Sequence, residues 1–339
     1  MTRDRGTERR EMLEAALPTL EALQHPVQDR LGRMEACLNE LVAADFGPIN
    51  EVSEYLLASR GKYLRPTLLL LANQVGGRPT RRAERLAAIV ELMHVATLVH
   101  DDAVDHSPRR RGMPTVNTRW THQVAVIMGD YLYSRALLEV TKVGPPEAVA
   151  ILARASNQMS IGEMRQLAAR DALGTTEQDY YRLCDCKTAS LMAAACELGA
   201  LAGAVEHRDA LAAYGRDLGM AFQIVDDLID YTVPADITGK PRGLDLREHK
   251  VTLPLIAALP RLGGAERGVI EALFANPEPD AAAVADVGEL VRAAGGLTYA
   301  RERAEEFARA AAGRLEPVPE DTFVRVLRLT VEFVLERQK

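Results

Sequence analysis

Two stretches of this chain of 339 residues constrain its fold more than anything else in it. Each is an apolar run of helical length that closes in Asp-Asp-x-x-Asp. The first passes through Leu86, Ile89, Val90, Leu92 and Met93 to Asp101-Asp102-Ala103-Val104-Asp105. The second passes through Met220, Ile224 and Val225 to Asp226-Asp227-Leu228-Ile229-Asp230. A helix that is apolar nearly all round is a buried helix. At about 100° per residue, however, His94, Thr97, Asp101 and Asp105 share one stripe of the first, and Gln223, Asp226 and Asp230 share one of the second. Ionised carboxylates at the ends of buried helices are expensive unless something partners them. The first aspartates of the two motifs stand 125 residues apart, and a single echo of that kind is not a solenoid repeat.

The rest of the chain reads as helix too. Aromatic residues are 5% of the sequence, alternating β-branched runs are scarce, and Ala, Leu, Glu and Arg dominate. Helical spacing covers Pro66–Leu71, Arg82–Val104, Val124–Val140, Pro146–Leu167, Glu177–Leu201 and Arg208–Ile229, with Gly or Pro turns between them. No low-complexity linker or shift of composition divides the chain. The expectation is an all-α protein, a single large helical bundle spanning residues 13–339, with residues 1–12 as a solvated tail.

Composition excludes several classes. Lys and Arg number 41 against 48 Asp and Glu, a net charge of −7, which disfavours a nucleic-acid partner. No run reaches the roughly 18 apolar residues of a membrane span. Met1–Arg10 holds no apolar segment of signal-peptide type. Cys37, Cys184, Cys186 and Cys196 form no Cys-x-x-Cys pair and are too few for a disulfide framework, which suits a reducing cytoplasm.

The chemistry follows from the carboxylates. Asp101 and Asp105, one turn apart, repel unless a cation lies between them. A hard divalent cation suits an all-oxygen set, and Mg²⁺ commonly completes its shell with water and substrate phosphate. A solvated helix end would explain one such motif, but two facing copies beside basic residues favour metal binding. Arg60-Gly61-Lys62-x-x-Arg65-Pro66 precedes a helix start, where backbone N–H groups favour an anion. Arg109-Arg110-Arg111-Gly112 follows the first acidic motif, and Lys240, Arg242, Arg247 and Lys250 follow the second. Acid beside base makes sense if a phosphorylated substrate lies between them.

These residues resemble the trans-isoprenyl diphosphate (polyprenyl) synthases, and within that family the long-chain, heptaprenyl to decaprenyl, members. Gly61-Lys62-x-x-Arg65-Pro66, the stretch from Glu91 through His94 to Asp105 with Arg110-Arg111-Gly112, Gly129-Asp130, Lys187-Thr188, and Phe222–Asp230 with Gly239-Lys240 and Gly243-Leu244-Asp245 carry the likeness, from about Leu38 onward. The resemblance implies a bundle around a central cavity, working as a homodimer, and a Mg²⁺-dependent head-to-tail condensation of an allylic diphosphate with isopentenyl diphosphate. It implies two or three Mg²⁺ ions held by Asp101, Asp105 and Asp226, with Asp102, Asp227 and Asp230 as further or outer ligands. Lys62, Arg65, His94 and Arg111 would bind isopentenyl diphosphate. Arg110, Lys187, Thr188, Gln223 and Lys240 would surround the allylic diphosphate and the cation. On spacing alone His94 is as well explained as a hydrogen-bonded core histidine, and Cys184 and Cys186 as packing residues. His249 stands where many members have Gly.

In this family, bulk just before the first acidic motif blocks the growing tail. Ala96 and Thr97 are small, so a medium- or long-chain product is expected, with a geranylgeranyl or farnesyl diphosphate synthase as the alternative. A subunit that needs a different partner chain is a second alternative. A metal phosphohydrolase using His100-Asp101 would leave Asp226-Asp227-x-x-Asp230 without a role.

Overall fold

A computed structural model describes residues 18–58, 61–168, 172–233 and 242–337. Its helices of eight residues or more are α1 (Gln28–Val42), α2 (Gly47–Ala58), α3 (Leu64–Gln74), α4 (Arg82–Val104), α5 (His122–Val143), α6 (Pro146–Ala168), α7 (Glu177–Cys184), α8 (Ser190–Leu201), α9 (Arg208–Thr232), α10 (Gly264–Ala275), α11 (Ala281–Ala293), α12 (Gly296–Arg314) and α13 (Thr322–Glu336). The all-α expectation holds. Among the described residues the only strands are the two-residue pair Arg109–Arg110 and Met113–Pro114, joined antiparallel. No helix among them is long and apolar enough to cross a membrane.

The apolar runs occupy the centre. Leu68, Leu69, Leu70 and Leu71 of α3 are all fully buried, so that helix has no solvent face over these residues. Ala87, Ala88, Ile89, Val90, Leu92 and Met93 of α4 are likewise fully buried. α4 packs against α1, α3, α5 and α8, and α9 packs against α8 and α12. The two helices that end in aspartates are therefore inner members of the bundle, as their patterning requires.

Two glycines set the spacing around the site. A Cβ at Gly129 would run into the imidazole of His100, so any larger residue there would have to push that ring aside. The freed space lets His100 Nε2 lie 3.2 Å from the carbonyl of Val126. A Cβ at Gly219 would come within 2.6 Å of Ala189 Cα, which lets α9 lie directly on the segment between α7 and α8.

α4 spans the expected Arg82–Val104, while α3 begins two residues before Pro66, at Leu64. The continuous helix expected over Glu177–Leu201 is interrupted. α7 starts with a capping box on Thr176 and Asp179, and Asp185–Ala189 then forms a π turn before α8. Such turns recur at functional sites because the altered backbone bonding re-aims side chains. The expected tail at 1–12, Arg60 and Lys240 lie outside the described residues.

Candidate active site

α4 ends where its carboxylates emerge. The N–H of Asp105 donates to the carbonyl of Asp101 at 2.8 Å, and the chain then reverses through the small hairpin. Arg111 and Gly112 form its two-residue turn with φ of 50° and 79°, the paired positive values of a type I′ turn. The reversal carries Arg110 back along α4, and its Nε donates to both oxygens of Asp102 at 2.9 Å. Asp102 is buried, Asp101 half-buried and Asp105 exposed. Burial pushes the Asp101 carboxyl up to about 7, with Lys187 pulling it down and Glu163 pushing it further up.

The second motif divides in the same manner. Asp226 is exposed and accepts a hydrogen bond from Arg337 Nη2 at 2.9 Å. Asp227 is buried and accepts from Tyr180 Oη at 2.6 Å and from Gln223 Nε2 at 2.8 Å. Its carboxyl is driven well above the usual carboxylate range, chiefly by burial and then by Asp245. Asp230 accepts from the N–H groups of Leu244 and Asp245 at 3.0 and 3.2 Å, which anchors the chain where it returns after the second motif. Burial and the charge of Asp230 push the Asp245 carboxyl up to about 7, against the pull of Lys250. Lys250 also feels Asp105, so the aspartate ends of α4 and α9 lie at the same end of the bundle.

The π turn supplies the side chains between them. Lys187 Nζ lies 2.5 Å from Glu163 Oε1 and donates to Gln166 Oε1 at 3.2 Å, both on α6. Thr188 Oγ1 donates to Gln223 Oε1 at 2.7 Å. The turn is held from the side by Asp185, which pairs with Arg216 through two bonds of 2.6 and 2.5 Å.

A basic cluster adjoins the first motif. Arg65 Nη1 lies 3.2 Å from His94 Nε2. Arginine can only donate, so this imidazole nitrogen accepts and the ring carries its proton on Nδ1. Burial first, then Arg65, Arg111 and Arg110, holds the His94 pKa well below the usual value, so the ring is neutral. Glu91, one turn back on α4, balances this cluster. Burial drives it up to about 7 while Arg65 and Arg111 pull it down. Lys62 and Arg111 are exposed. A cavity of about 70 Å³ opens here, lined by Gly61, Tyr63, Glu91, Val95, Asp102 and Arg111.

The donor chemistry suits a hard cation. Asp101 and Asp105 offer oxygen alone, and Asp226 does so with one oxygen held by Arg337, whereas Asp102, Asp227 and Asp230 are already engaged by Arg110, by Tyr180 with Gln223, and by backbone N–H groups. Among the described residues no three such side chains converge tightly enough to enclose an ion unaided. A metal that shares its shell with phosphate oxygens and water fits that arrangement. Four side chains belong to the site without having been singled out by motif spacing: Glu163, Gln166, Tyr180 and Arg337. Glu163 and Gln166 stand three apart on one helical face, a visible signal. Tyr180 and Arg337 carry none, because only the tertiary fold brings them in. Ala96 is fully buried, and the Thr97 hydroxyl donates to the carbonyl of His94 at 2.8 Å.

A helical bundle with two paired acidic helix ends beside a basic cluster defines a class of enzymes acting on diphosphates, and the comparisons narrow it. Residues 47–291 match the polyprenyl synthetase family model. The chain is 37% identical over 314 residues to an all-trans-nonaprenyl-diphosphate synthase (geranyl-diphosphate specific) of Rhodobacter capsulatus, covering 92% of this chain and 96% of that one. It is 36% identical over 270 residues to heptaprenyl diphosphate synthase component 2 of Geobacillus stearothermophilus, covering 79% and 83%. The crystal structure of a polyprenyl synthase from Caulobacter crescentus, complexed with calcium and isoprenyl diphosphate, superposes with a TM-score of 0.90 at 32% identity over 96% of this chain and 99% of that one. The chain belongs to the polyprenyl synthetase family and is a prenyltransferase.

Proposed function

We propose that the enzyme condenses an allylic diphosphate with isopentenyl diphosphate, head to tail, to give an all-trans polyprenyl diphosphate of medium or long chain. The observation that carries this is the placement of Asp101, Asp105 and Asp226 at one end of the bundle, with Lys187 and Thr188 beside them on the π turn. Bound Mg²⁺ supplies neutralisation of the charge that develops on the departing diphosphate. Asp101, Asp105 and Asp226 would hold it, with Asp102, Asp227 and Asp230 fixing the frame around them.

The protein's own groups account for the rest. Arg110, oriented by Asp102, and Lys187, oriented by Glu163 and Gln166, meet the allylic diphosphate, with Lys240 as a further cation. Lys62, Arg65 and Arg111 meet isopentenyl diphosphate, and neutral His94 keeps Arg65 aimed. Ionisation of the allylic substrate leaves a cation beside Thr188 and Gln223. The double bond of the second substrate attacks it, and the proton lost goes to the released diphosphate. No charged side chain stands at Ala96 or Thr97, and their small size leaves room for the tail.

Two copies of the chain form the working unit in this proposal. Ile127 and Leu138 of α5 and Ile161, Met164 and Leu167 of α6 are exposed, and the two helices pack together. Such a face suits an identical partner. The similarity to a heptaprenyl synthase component supports a second reading, in which a different chain covers it. Residues 13–339 act as one unit, and the four free thiols support a cytoplasmic site of action, with the product able to draw the enzyme to membranes. The test is a product assay. The purified protein alone is incubated with farnesyl diphosphate, labelled isopentenyl diphosphate and Mg²⁺, with and without EDTA, and the dephosphorylated products are sized. A ladder ending at a long prenol and abolished by EDTA is expected. A short product overturns the chain-length reading, and no product from folded protein favours the partner-chain reading.

A further inference from the structure

The hairpin that carries Arg110 and Arg111 stands on the edge of open space. Its strands are two residues each, and Arg111 and Gly112 at its turn are exposed. The cavity beside the basic cluster lies between it and two helices, with Arg111, Met113 and Pro114 on the hairpin side, Tyr55 and Leu56 of α2 opposite, and Val95 of α4 below. Close packing therefore does not set the distance from α2 to the hairpin.

A tyrosine joins them instead. Tyr55 Oη donates to the carbonyl of Pro114 at 2.7 Å. The guanidinium of Arg119 lies 4.3 Å from the centre of the Tyr55 ring and 4.9 Å from that of Trp120, and the two rings meet edge to face at 5.2 Å. Arg119 and Trp120 follow the hairpin on the short helix Val116–Arg119. The outgoing strand and the helix after it thus close on one side chain of α2.

The two arginines depend on this tether unequally. Arg110 is fixed on the incoming strand, where its Nε donates to both oxygens of Asp102 at 2.9 Å. Tyr55 holds the outgoing strand. The two anchors, one on each strand, set the rotation of the hairpin, and Arg111 at the turn takes its direction from both. With the outgoing anchor cut, the hairpin can pivot about the Arg110–Asp102 pair, which moves Arg111 and leaves Arg110 in place.

We propose that Tyr55 is a positioning residue for isopentenyl diphosphate: by holding the outgoing strand through Pro114, it aims Arg111 at that diphosphate. This rests on the proposed function, in which Arg111 meets isopentenyl diphosphate and Arg110 the allylic substrate. Arginine binds phosphate through bonds of fixed direction, so a turned guanidinium loses affinity. The diphosphate of isopentenyl diphosphate does not react. Its contacts are equal in the ground state and the transition state, so the effect belongs to KM and not to kcat.

The experiment compares Tyr55→Phe, Arg111→Met and the double variant in steady-state kinetics with each substrate varied in turn. Tyr55→Phe keeps the ring under Arg119 and removes only the hydroxyl, and the exposed Pro114 can turn its carbonyl to water, so helical circular dichroism should match the parent. KM for isopentenyl diphosphate should rise about tenfold, a large part of one charge-assisted hydrogen bond. The allylic KM and kcat should stay within about twofold. Arg111→Met should raise the isopentenyl KM at least as much, and adding Tyr55→Phe to it should change nothing further, because both act through one guanidinium. A parental isopentenyl KM in Tyr55→Phe, with a raised one in Arg111→Met, overturns the proposal and leaves the functional reading standing. A parental isopentenyl KM in Arg111→Met takes Arg111 off that substrate and overturns both the proposal and that part of the reading. Effects that multiply in the double variant, an equal rise in the allylic KM, or a loss confined to kcat would each mark Tyr55 as structural and contradict the proposal. If Tyr55→Phe does not fold, Arg119→Met serves, since it removes the cation that braces the same ring. A rise in the isopentenyl KM alone, absent from the Arg111→Met background, is then expected, and an unchanged value contradicts the proposal.

Discussion

Arg337, near the end of the chain, donates to Asp226 at 2.9 Å, across 111 residues of sequence. Its guanidinium also lies 3.7 Å from the centre of the Phe222 ring and donates to the Phe222 carbonyl at 2.9 Å. The arginine is buried while the aspartate is exposed, so the pair holds Asp226 from the protein side and leaves its other face open. Arg337→Ala should leave the helices intact, cost about 1–2 kcal/mol of stability through the lost stacking and hydrogen bonds, and raise the Mg²⁺ half-saturation about tenfold. Thermal unfolding and metal titration of the variant check both parts.

Glu91 gives a dependence on pH with a definite sign. Its carboxyl is raised by burial from 4.5 to about 7 in the folded protein. The folded state therefore binds the proton more tightly than the unfolded chain. The stability this contributes is full below the unfolded value and is lost as pH rises through about 7, a swing of about 3 kcal/mol. Glu91→Gln cannot ionise, so relative to the parent it should gain stability at pH 8 and change little at pH 4. Denaturant midpoints at the two values decide it, and an equal effect at both would contradict the cause given.

Metal affinity should also follow pH. Asp101 sits near 7 in the metal-free protein, mainly through burial, and a bound cation must displace its proton. Mg²⁺ half-saturation measured with an unreactive allylic analogue should worsen by up to about tenfold per unit as pH falls below 7 and level off above it.

Chain length can be read at Ala96. It is fully buried, so a large side chain there must displace its neighbours. Ala96→Phe should shorten the product at a retained rate of first condensation. An unchanged product would mean that the tail does not pass this level.

Much of this was legible before the fold was known. The apolar faces of α4 and α9 and the stripes of polar residues on them follow from a period of 3.6, and α4 keeps its expected ends at Arg82 and Val104. His249 stands at a position of many glycines and adopts φ of 56°, a left-handed conformation that its imidazole secures by lying 3.0 Å from the Asn276 carbonyl. What sequence could not carry is the division of labour within each acidic motif. Asp101 and Asp102 are adjacent and chemically identical, and only the hairpin that returns Arg110 separates an available carboxylate from an engaged one. The π turn was equally hidden, because Asp185–Ala189 has ordinary helical composition and the helices that pack closely on it at Gly162 and Gly219 come from distant parts of the sequence.

The central claim is that the two acidic helix ends serve one diphosphate through shared metal. Calorimetry with an unreactive allylic thiodiphosphate, with and without Mg²⁺, tests it most directly in the parent, Asp101→Ala and Asp226→Ala. Mg²⁺-dependent binding is expected in the parent and a loss of about 10- to 100-fold in each variant, with circular dichroism unchanged. Parental Mg²⁺-dependent affinity in either variant would contradict the claim.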